Sequence, residues 1–205
     1  MSLEELTLLK EGFPQISFTG EIEEKFAALW EEKCFSKGDF ITEAGRKERH
    51  FYFVLEGVQM IYLIDNRGDH RVFGFTYRGD FSGVYSSFIQ NRPSDYFLEC
   101  LSESRVFAMS LENYLNLFEA YPEFNRWGRL FYQRILLGRH QREVELLMLS
   151  SEERYTKFMR RCPEPLKKVP QKYLASYLNM KPETFSRLRY FFQRFRTTAH
   201  KFCIS

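Results

Sequence analysis

The 205-residue chain is poor in the residues that build covalent or metal chemistry. Its four cysteines, Cys34, Cys100, Cys162 and Cys203, are scattered without a C-x-x-C pair. That argues against a zinc ribbon, a local iron–sulfur cluster or a disulfide framework and leaves buried or idle thiols. The four histidines, His50, His70, His140 and His200, have neither paired spacing nor a glycine-flanked metal motif, so a metal-dependent barrel enzyme has no ligand set here. Also missing are G-x-S-x-G, a phosphate-binding Gly-rich loop with its Lys and Ser or Thr, and H-E-x-x-H. The sequence therefore predicts no catalytic site, no metal and no cofactor. No apolar run approaches the roughly 20 residues that span a bilayer. The opening MSLEELTLLKEG carries Glu4 and Glu5 where a secretory signal is basic, so a cytoplasmic protein without a membrane partner is expected.

What the chain does have is core and an uneven charge. Hydrophobic residues make up 44% and aromatic residues 18%, including 22 Phe and 12 Tyr, which supports one large folded domain or two small ones. The net charge of +3 hides a split. Residues 151–205 hold 13 Lys and Arg against 4 Glu, while residues 1–150 hold 17 against 23 acidic residues. A compact basic third on an acidic body is the footprint of a surface that meets phosphates, with a merely solvated face as the plainer reading.

Ser2 with Glu5 makes a capping box for a first short helix ending near Gly12 and Pro14, and a second helix from about Glu21 places Ile22, Phe26, Leu29 and Trp30 at helical spacing. From Phe35 to about Ser110 the texture becomes short aromatic and β-branched runs between Gly and Asp turns, such as FYFVLEG and HRVFGFTYRGDF. This predicts an antiparallel β-barrel or sandwich, with Asn66, Arg67 and Gly68 at a hairpin turn. Leu111–Ala120 reads as a short helix. Pro122 then opens a long one to about Leu149, in which Phe124, Trp127, Phe131 and Ile135 recur near 3.5 residues apart as a candidate dimer seam, with packing on the chain's own barrel as the alternative. Ser150 and Glu153 make another capping box, for a helix that stops at Cys162.

In VPQKYLASYLNMKPETFSRLRYFF two apolar helix faces, Tyr173, Leu174, Tyr177 and Leu178 and then Phe185, Leu188 and Phe192, flank a break at Asn179. Asn tolerates a left-handed conformation, and Pro182 suits the first helical position, so the stretch predicts a helix-turn-helix. Its second helix presents Lys181, Pro182, Glu183, Ser186, Arg187 and Tyr190 away from the core. Arg reads guanine O6 and N7 and Glu accepts from cytosine N4, which makes Glu183 and Arg187 the expected base readers. Gln171, Lys172, Lys181, Thr184 and Arg189 are expected to hold phosphates.

With AGRKERHFYFVLEG, DNRGD, RGDFSG and PETFSR in place, nearly the whole chain resembles the CRP/FNR family of bacterial transcription regulators. The resemblance implies an α+β chain. An N-terminal cyclic-nucleotide-binding-type jelly-roll barrel would occupy residues 1–121, a long dimerisation helix 122–149, and a winged helix-turn-helix 150–205 that binds a two-fold symmetric operator in double-stranded DNA as a homodimer. Glu183 and Arg187 fall on the family's base-contacting positions. The brief link PEPLKKV leaves the wing hairpin reduced or absent, and the aromatic ending RYFFQRFRTTAHKFCIS matches no family role. Contacts to RNA polymerase, which the resemblance admits, leave no motif.

Cyclic-AMP-binding relatives use a Gly-Glu pair and a later Arg followed by a small hydroxyl residue. In GDFSGVYSSFIQNRPSDYF Gly83 fits, but Val84 stands where the ribose-binding Glu would be and Ser94 where the phosphate-binding Arg would be, followed by Asp95 and Tyr96. A buried anionic phosphate without a charge partner is costly, so cyclic AMP is not expected in the usual mode at Gly83, Val84, Tyr85, Ser94 and Asp95. The barrel would then take another small-molecule effector among aromatic residues such as Phe53, Phe73, Phe75, Phe81 and Tyr85, sense nothing, or bind a protein. The rival to the regulator reading is an interaction or signalling module with no specific DNA target.

Overall fold

The computed structural model describes residues 1–201, with side chains through Phe192 and at Arg194. The His200 side chain and Cys203 lie outside the described residues. The chain divides into two compact units, Met1–Leu63 with Phe73–Leu137, and Ile64–Val72 with Gly138–Ser205. The division therefore falls inside the long helix rather than at its ends as expected. The reason is packing: residues up to Phe131 belong to the core of the first unit, whereas Glu145 is ion-paired to Lys157 and Arg161 in the second.

The first unit opens with α1 (Leu3–Glu11), whose capping box between Ser2 and Glu5 is formed, and α2 (Glu21–Ala28). Leu29 and Trp30, expected on α2, lie past its end. Strand β1 (Glu31–Phe35) starts directly after Trp30, followed by β2 (Phe40–Thr42), β3 (His50–Glu56), β4 (Val58–Ile64), β5 (His70–Tyr77) and β6 (Phe81–Ser82). A short helix, α3 (Tyr85–Gln90), interrupts what the sequence reads as continuous strand territory before β7 (Phe97–Cys100) and β8 (Ser104–Ser110). Two four-stranded sheets result, ordered β1-β8-β3-β6 and β2-β7-β4-β5, with antiparallel pairing such as Tyr52 opposite Ala108.

Strand β3 shows why the barrel sits where it does. Phe51, Phe53 and Leu55 join one core cluster, and Tyr52 and Val54 join another with Val106 and Ala108. Both faces of this strand are covered, so its sequence runs hydrophobic without alternation. The larger cluster lies on the outer face of the first sheet against α1, α2, α4 (Leu111–Ala120) and the first half of α5 (Pro122–Met148). It is mostly aromatic, with Leu9, Ile16, Leu55, Met109 and Leu117 among the rings: Phe13 lies 5.0 Å from Phe26 and 4.4 Å from Trp127.

One turn of this unit carries a pH-sensitive group. The Asp80 carboxylate accepts the Tyr77 N–H at 3.1 Å, and burial pushes its pKa up from 3.8 to about 6. A raised folded-state pKa gives stability that is full below the unfolded value of about 3.9 and is lost as pH rises through about 6. Asp80→Asn, which keeps the acceptor, should therefore flatten the wild-type decline in stability across that window. Urea melts of both proteins at a series of pH values check this.

The second unit contains the C-terminal half of α5, α6 (Ser151–Arg161) with its Ser150–Glu153 capping box, a 3-10 turn (Glu164–Lys168), α7 (Gln171–Tyr177) and α8 (Pro182–Lys201). Tyr155, Phe158, Leu166, Val169, Leu174, Ala175, Leu178 and Phe185 are its buried side chains. The hairpin tip belongs to this unit: Ser176 Oγ donates to the His70 carbonyl at 2.6 Å and accepts the Val72 N–H at 3.0 Å. Among the described residues no strand follows β8, so no wing hairpin is present there. None of the described helices is long and apolar enough to cross a membrane.

Candidate functional site

Helices α7 and α8 are joined by a turn with Asn179 at φ +51°, in the left-handed region. The Asn179 N–H donates to the Ser176 carbonyl at 2.9 Å and the Met180 N–H to the Ala175 carbonyl at 3.0 Å. Ala175 is fully buried, where only a small side chain permits so close a crossing. The Phe185 N–H reaches back to the Lys181 carbonyl, which makes Pro182 the first helical residue, where its missing N–H is no loss. Phe185 packs 5.2 Å from Tyr155, and Phe192 stacks on the same ring at 5.6 Å.

That anchoring decides which residues of α8 face out. Lys181, Pro182, Glu183, Ser186, Arg187 and Arg189 are exposed, as is Lys172 on α7, while Gln171 and Thr184 are half-buried. The Glu183 and Arg187 side chains make no hydrogen bond or ion pair among the described residues. Glu183 and Arg187, four residues apart, thus leave a free carboxylate and a free guanidinium one helical turn apart on one side of α8, while Arg189 points to another side.

Sequence reasoning missed what holds the turn. Arg142 donates from Nη2 to the Tyr177 carbonyl at 2.5 Å, with its guanidinium 3.8 Å from the Tyr177 ring centroid. Arg154 donates from Nε to the Leu178 carbonyl at 2.9 Å and from Nη2 to the Asn179 carbonyl at 3.2 Å. These are three consecutive carbonyls at the C-terminal end of α7, the end that attracts cations. Burial draws the Arg142 pKa below its ordinary value, opposed by Tyr177. In the sequence Arg142 reads only as a polar break in the α5 seam, because its partners lie 35 residues away.

The seam itself turns inward. Phe124 and Trp127 are buried in the first unit's own core and Phe131 packs against it, with Trp127 Nε1 donating to the Gly12 carbonyl at 2.8 Å. Three of the four expected dimer residues are therefore used by the barrel, and only Ile135 is exposed. The apolar residues that α5 leaves in solvent are others: Leu136 (69% exposed), Leu137, Val144, Leu147 (76%) and Met148 (77%). At 100° per residue these fall within an arc of about 120°, on the side opposite Phe124, Trp127 and Phe131.

The residues expected to form an effector pocket do not converge. Ser94 is buried, and its hydroxyl is spent on the Tyr96 backbone, donating to the carbonyl at 2.8 Å and accepting the N–H at 2.9 Å. Asp95 faces solvent and Val84 is buried. Gly83 and Tyr85 instead border a cavity of about 70 Å³ against α5, lined also by Phe51, Phe81, Phe88, Phe131 and Tyr132. Of the aromatic residues expected around an effector, Phe81 and Tyr85 reach it. Phe53 is core, and Phe73 rests on Tyr96 at 5.2 Å. Tyr114 and Tyr132 share a hydrogen bond beside this cavity, and burial pushes both phenols well above the usual range.

The polar centre of the barrel is a residue that sequence reasoning passed over. Glu48, in the turn before β3, is 4% exposed. Its Oε1 accepts the Arg49 N–H at 2.9 Å, the His50 N–H at 3.2 Å and the Tyr52 hydroxyl at 3.2 Å; its Oε2 accepts the Val84 N–H at 3.3 Å and the Thr42 hydroxyl. Burial raises its pKa, and the hydrogen bonds from Thr42, His50, Val84 and Tyr52 offset only part of that rise. Within AGRKERH a single Glu looks like a solvated turn residue, so no local signal marks it.

Residues 32–121 match the family model of the cyclic nucleotide-binding domain. Over most of its length the chain also has the fold of solved regulators of the CRP/FNR kind. It is 17% identical to CLP of Xanthomonas campestris, described as a c-di-GMP responsive global regulator that links cell–cell signalling to virulence gene expression (TM-score 0.68, covering 83% of this chain and 90% of that one). To FixK2 of Bradyrhizobium japonicum it is likewise 17% identical, with a TM-score of 0.70 over 83% of this chain and 86% of that one. The sensor domain of the transcriptional regulator DNR of Pseudomonas aeruginosa aligns at 18% identity and a TM-score of 0.54, over 72% and 96% of the respective chains. At these identities the likeness is one of fold. No curated protein matches the chain.

Proposed function

We propose that the protein is a sequence-specific DNA-binding transcription regulator of the CRP/FNR type. It acts in the cytoplasm as a homodimer on a palindromic operator, with a barrel that does not take cyclic AMP in the usual mode. The observation that carries this is the exposed part of α8, where Glu183 and Arg187 have no partner among the described residues and Lys181 and Arg189 are exposed nearby. In a helix-turn-helix, such side chains enter the major groove while the flanking cations hold phosphates. Arg142 and Arg154 fit the same reading, because a recognition helix needs a fixed angle to the helix before it. Against cyclic AMP stand the engaged Ser94 hydroxyl and the absence of an Arg or Glu at the matching positions.

The homodimer supplies two recognition helices for two half-sites one helical turn, about 34 Å, apart. Helix α5 runs through both units, and an effector that preferred one setting of this helix would shift the population competent for the operator. Selection from a random duplex library with the purified protein and no added ligand tests the reading. An enriched inverted repeat with that spacing is expected. Enrichment of nothing, with or without cyclic nucleotides, would instead favour an interaction module whose basic end is incidental.

A further inference from the structure

A buried carboxylate ordinarily needs a cation or a full set of hydrogen-bond donors to offset its lost hydration. Glu48 has the second and not the first: among the described residues no Lys or Arg is paired with it. Three backbone N–H groups and two hydroxyls converge on its two oxygens. Five groups able to donate to one point, three of them backbone N–H groups that can only donate, make a binding site for an anion, whatever the anion is attached to.

The surroundings show what this site organises. Besides Val84, the segment from Gly83 to Ser94 is tied to the chain around Glu48 at several points. The Glu48 N–H donates to Ser87 Oγ at 2.9 Å, and Ser87 in turn donates to the Arg92 carbonyl at 2.5 Å. The Ser94 N–H donates to the Arg46 carbonyl at 2.8 Å, and the Gly45 N–H to the Ser94 carbonyl at 2.7 Å. Gly83, at φ +125°, would bring a Cβ to 3.3 Å from the His50 carbonyl, so the segment can approach β3 this closely only because residue 83 is glycine. This is the same segment on which an anionic effector would be expected to act.

We propose that Thr42, Arg49, His50, Tyr52 and Val84 form a small-anion site of carboxylate specificity inside the barrel, and that Glu48 is its permanent, intramolecular occupant. Glu48 does for Gly83–Ser94 what a bound anion would do: it fixes the Val84 amide and holds the segment on β3. An external phosphate or carboxylate then finds the donors already engaged and a negative charge in their midst. The regulatory meaning rests on the reading of the chain as a DNA-binding regulator: the barrel is set in one arrangement by its own side chain, and operator binding needs no anionic effector.

Truncation to Glu48→Ala removes Cγ, Cδ and both oxygens, the heavy atoms of acetate. Amide hydrogen exchange of Arg49, His50 and Val84 should then accelerate about tenfold or more, the size expected when a hydrogen bond of this kind is lost. Acetate should restore protection and melting temperature, and acetamide of the same shape without the charge should not. Wild-type protein should respond to neither acetate nor inorganic phosphate. Unchanged Val84 exchange in Glu48→Ala, or equal rescue by acetamide, would overturn the proposal.

Should the truncated protein fail to fold, Glu48→Gln keeps the volume and one acceptor. It should deprotect Val84, which would face an amide N–H₂, while Arg49 and His50 stay protected, and a Val84 as slow as in wild type would count against the site. Neither readout involves DNA, so failure of the operator selection and failure of the anion site are separately visible.

Discussion

Arg187→Ala should weaken binding to the selected operator by about 30-fold to 10⁴-fold, since a bidentate guanine contact is worth about 1–3 kcal/mol and a dimer makes two. The loss should be selective: the variant should accept any base at one position of each half-site and retain preference elsewhere. The geometry behind this is specific. Arg187 is exposed on α8, unpaired among the described residues, and two residues past the buried Phe185, so it points away from the face that Phe185 anchors. Lys172→Ala supplies the contrast. A phosphate contact carries no sequence information, so its removal should weaken all duplexes alike and lower the slope of log affinity against log salt by about 1 per half-site. Fluorescence anisotropy titrations of the operator and of single-base variants, at several salt concentrations, measure both. An Arg187→Ala protein with undiminished sequence preference would remove Arg187 from the groove.

Much of the α7–α8 pair was legible in the sequence because its determinants are local. Asn179 in the left-handed region, Pro182 at the first helical position and the alternation of buried Leu174, Ala175 and Phe185 with exposed cations all lie within a dozen residues of one another. Both capping boxes and the bounds of α4 were readable for the same reason. What escaped depends on partners distant in sequence. Arg142 and Arg154 find their carbonyls 24 to 35 residues on. Glu48 finds one of its buried donors at Val84, 36 residues away. Helix α3 sits among strands, in a stretch whose aromatic and small residues serve either structure.

Helix α5 misled in a more instructive way. Its most regular apolar spacing, Phe124 to Phe131, is what the barrel consumes, while the apolar side chains it leaves exposed flank the polar stretch Gly138, Arg139, His140, Gln141 and Arg142 and show no repeat in the sequence. A helix whose regular apolar face is taken up by its own domain keeps its other apolar residues scattered among polar ones, so the sequence shows no single clean seam.

The exposed stripe yields the second large effect. Replacing Leu147 and Met148 together by Glu should convert a dimer to a monomer at micromolar concentration, because four like charges would then face one another across a surface that is otherwise Leu, Val and Met. Both side chains are more than three-quarters exposed, so the change should leave the fold and its melting temperature nearly as they were. Operator affinity should nonetheless fall by about 10²–10⁴, the advantage lost when two linked half-site contacts become independent. Affinity for an isolated half-site should be unaffected. Sedimentation velocity and paired titrations on full and half operators separate these effects. A double-Glu protein that still sediments as a dimer would place the interface elsewhere. One that is monomeric yet binds the full operator as wild type does would mean that a single recognition helix suffices, and would remove the reason to expect an inverted repeat at all.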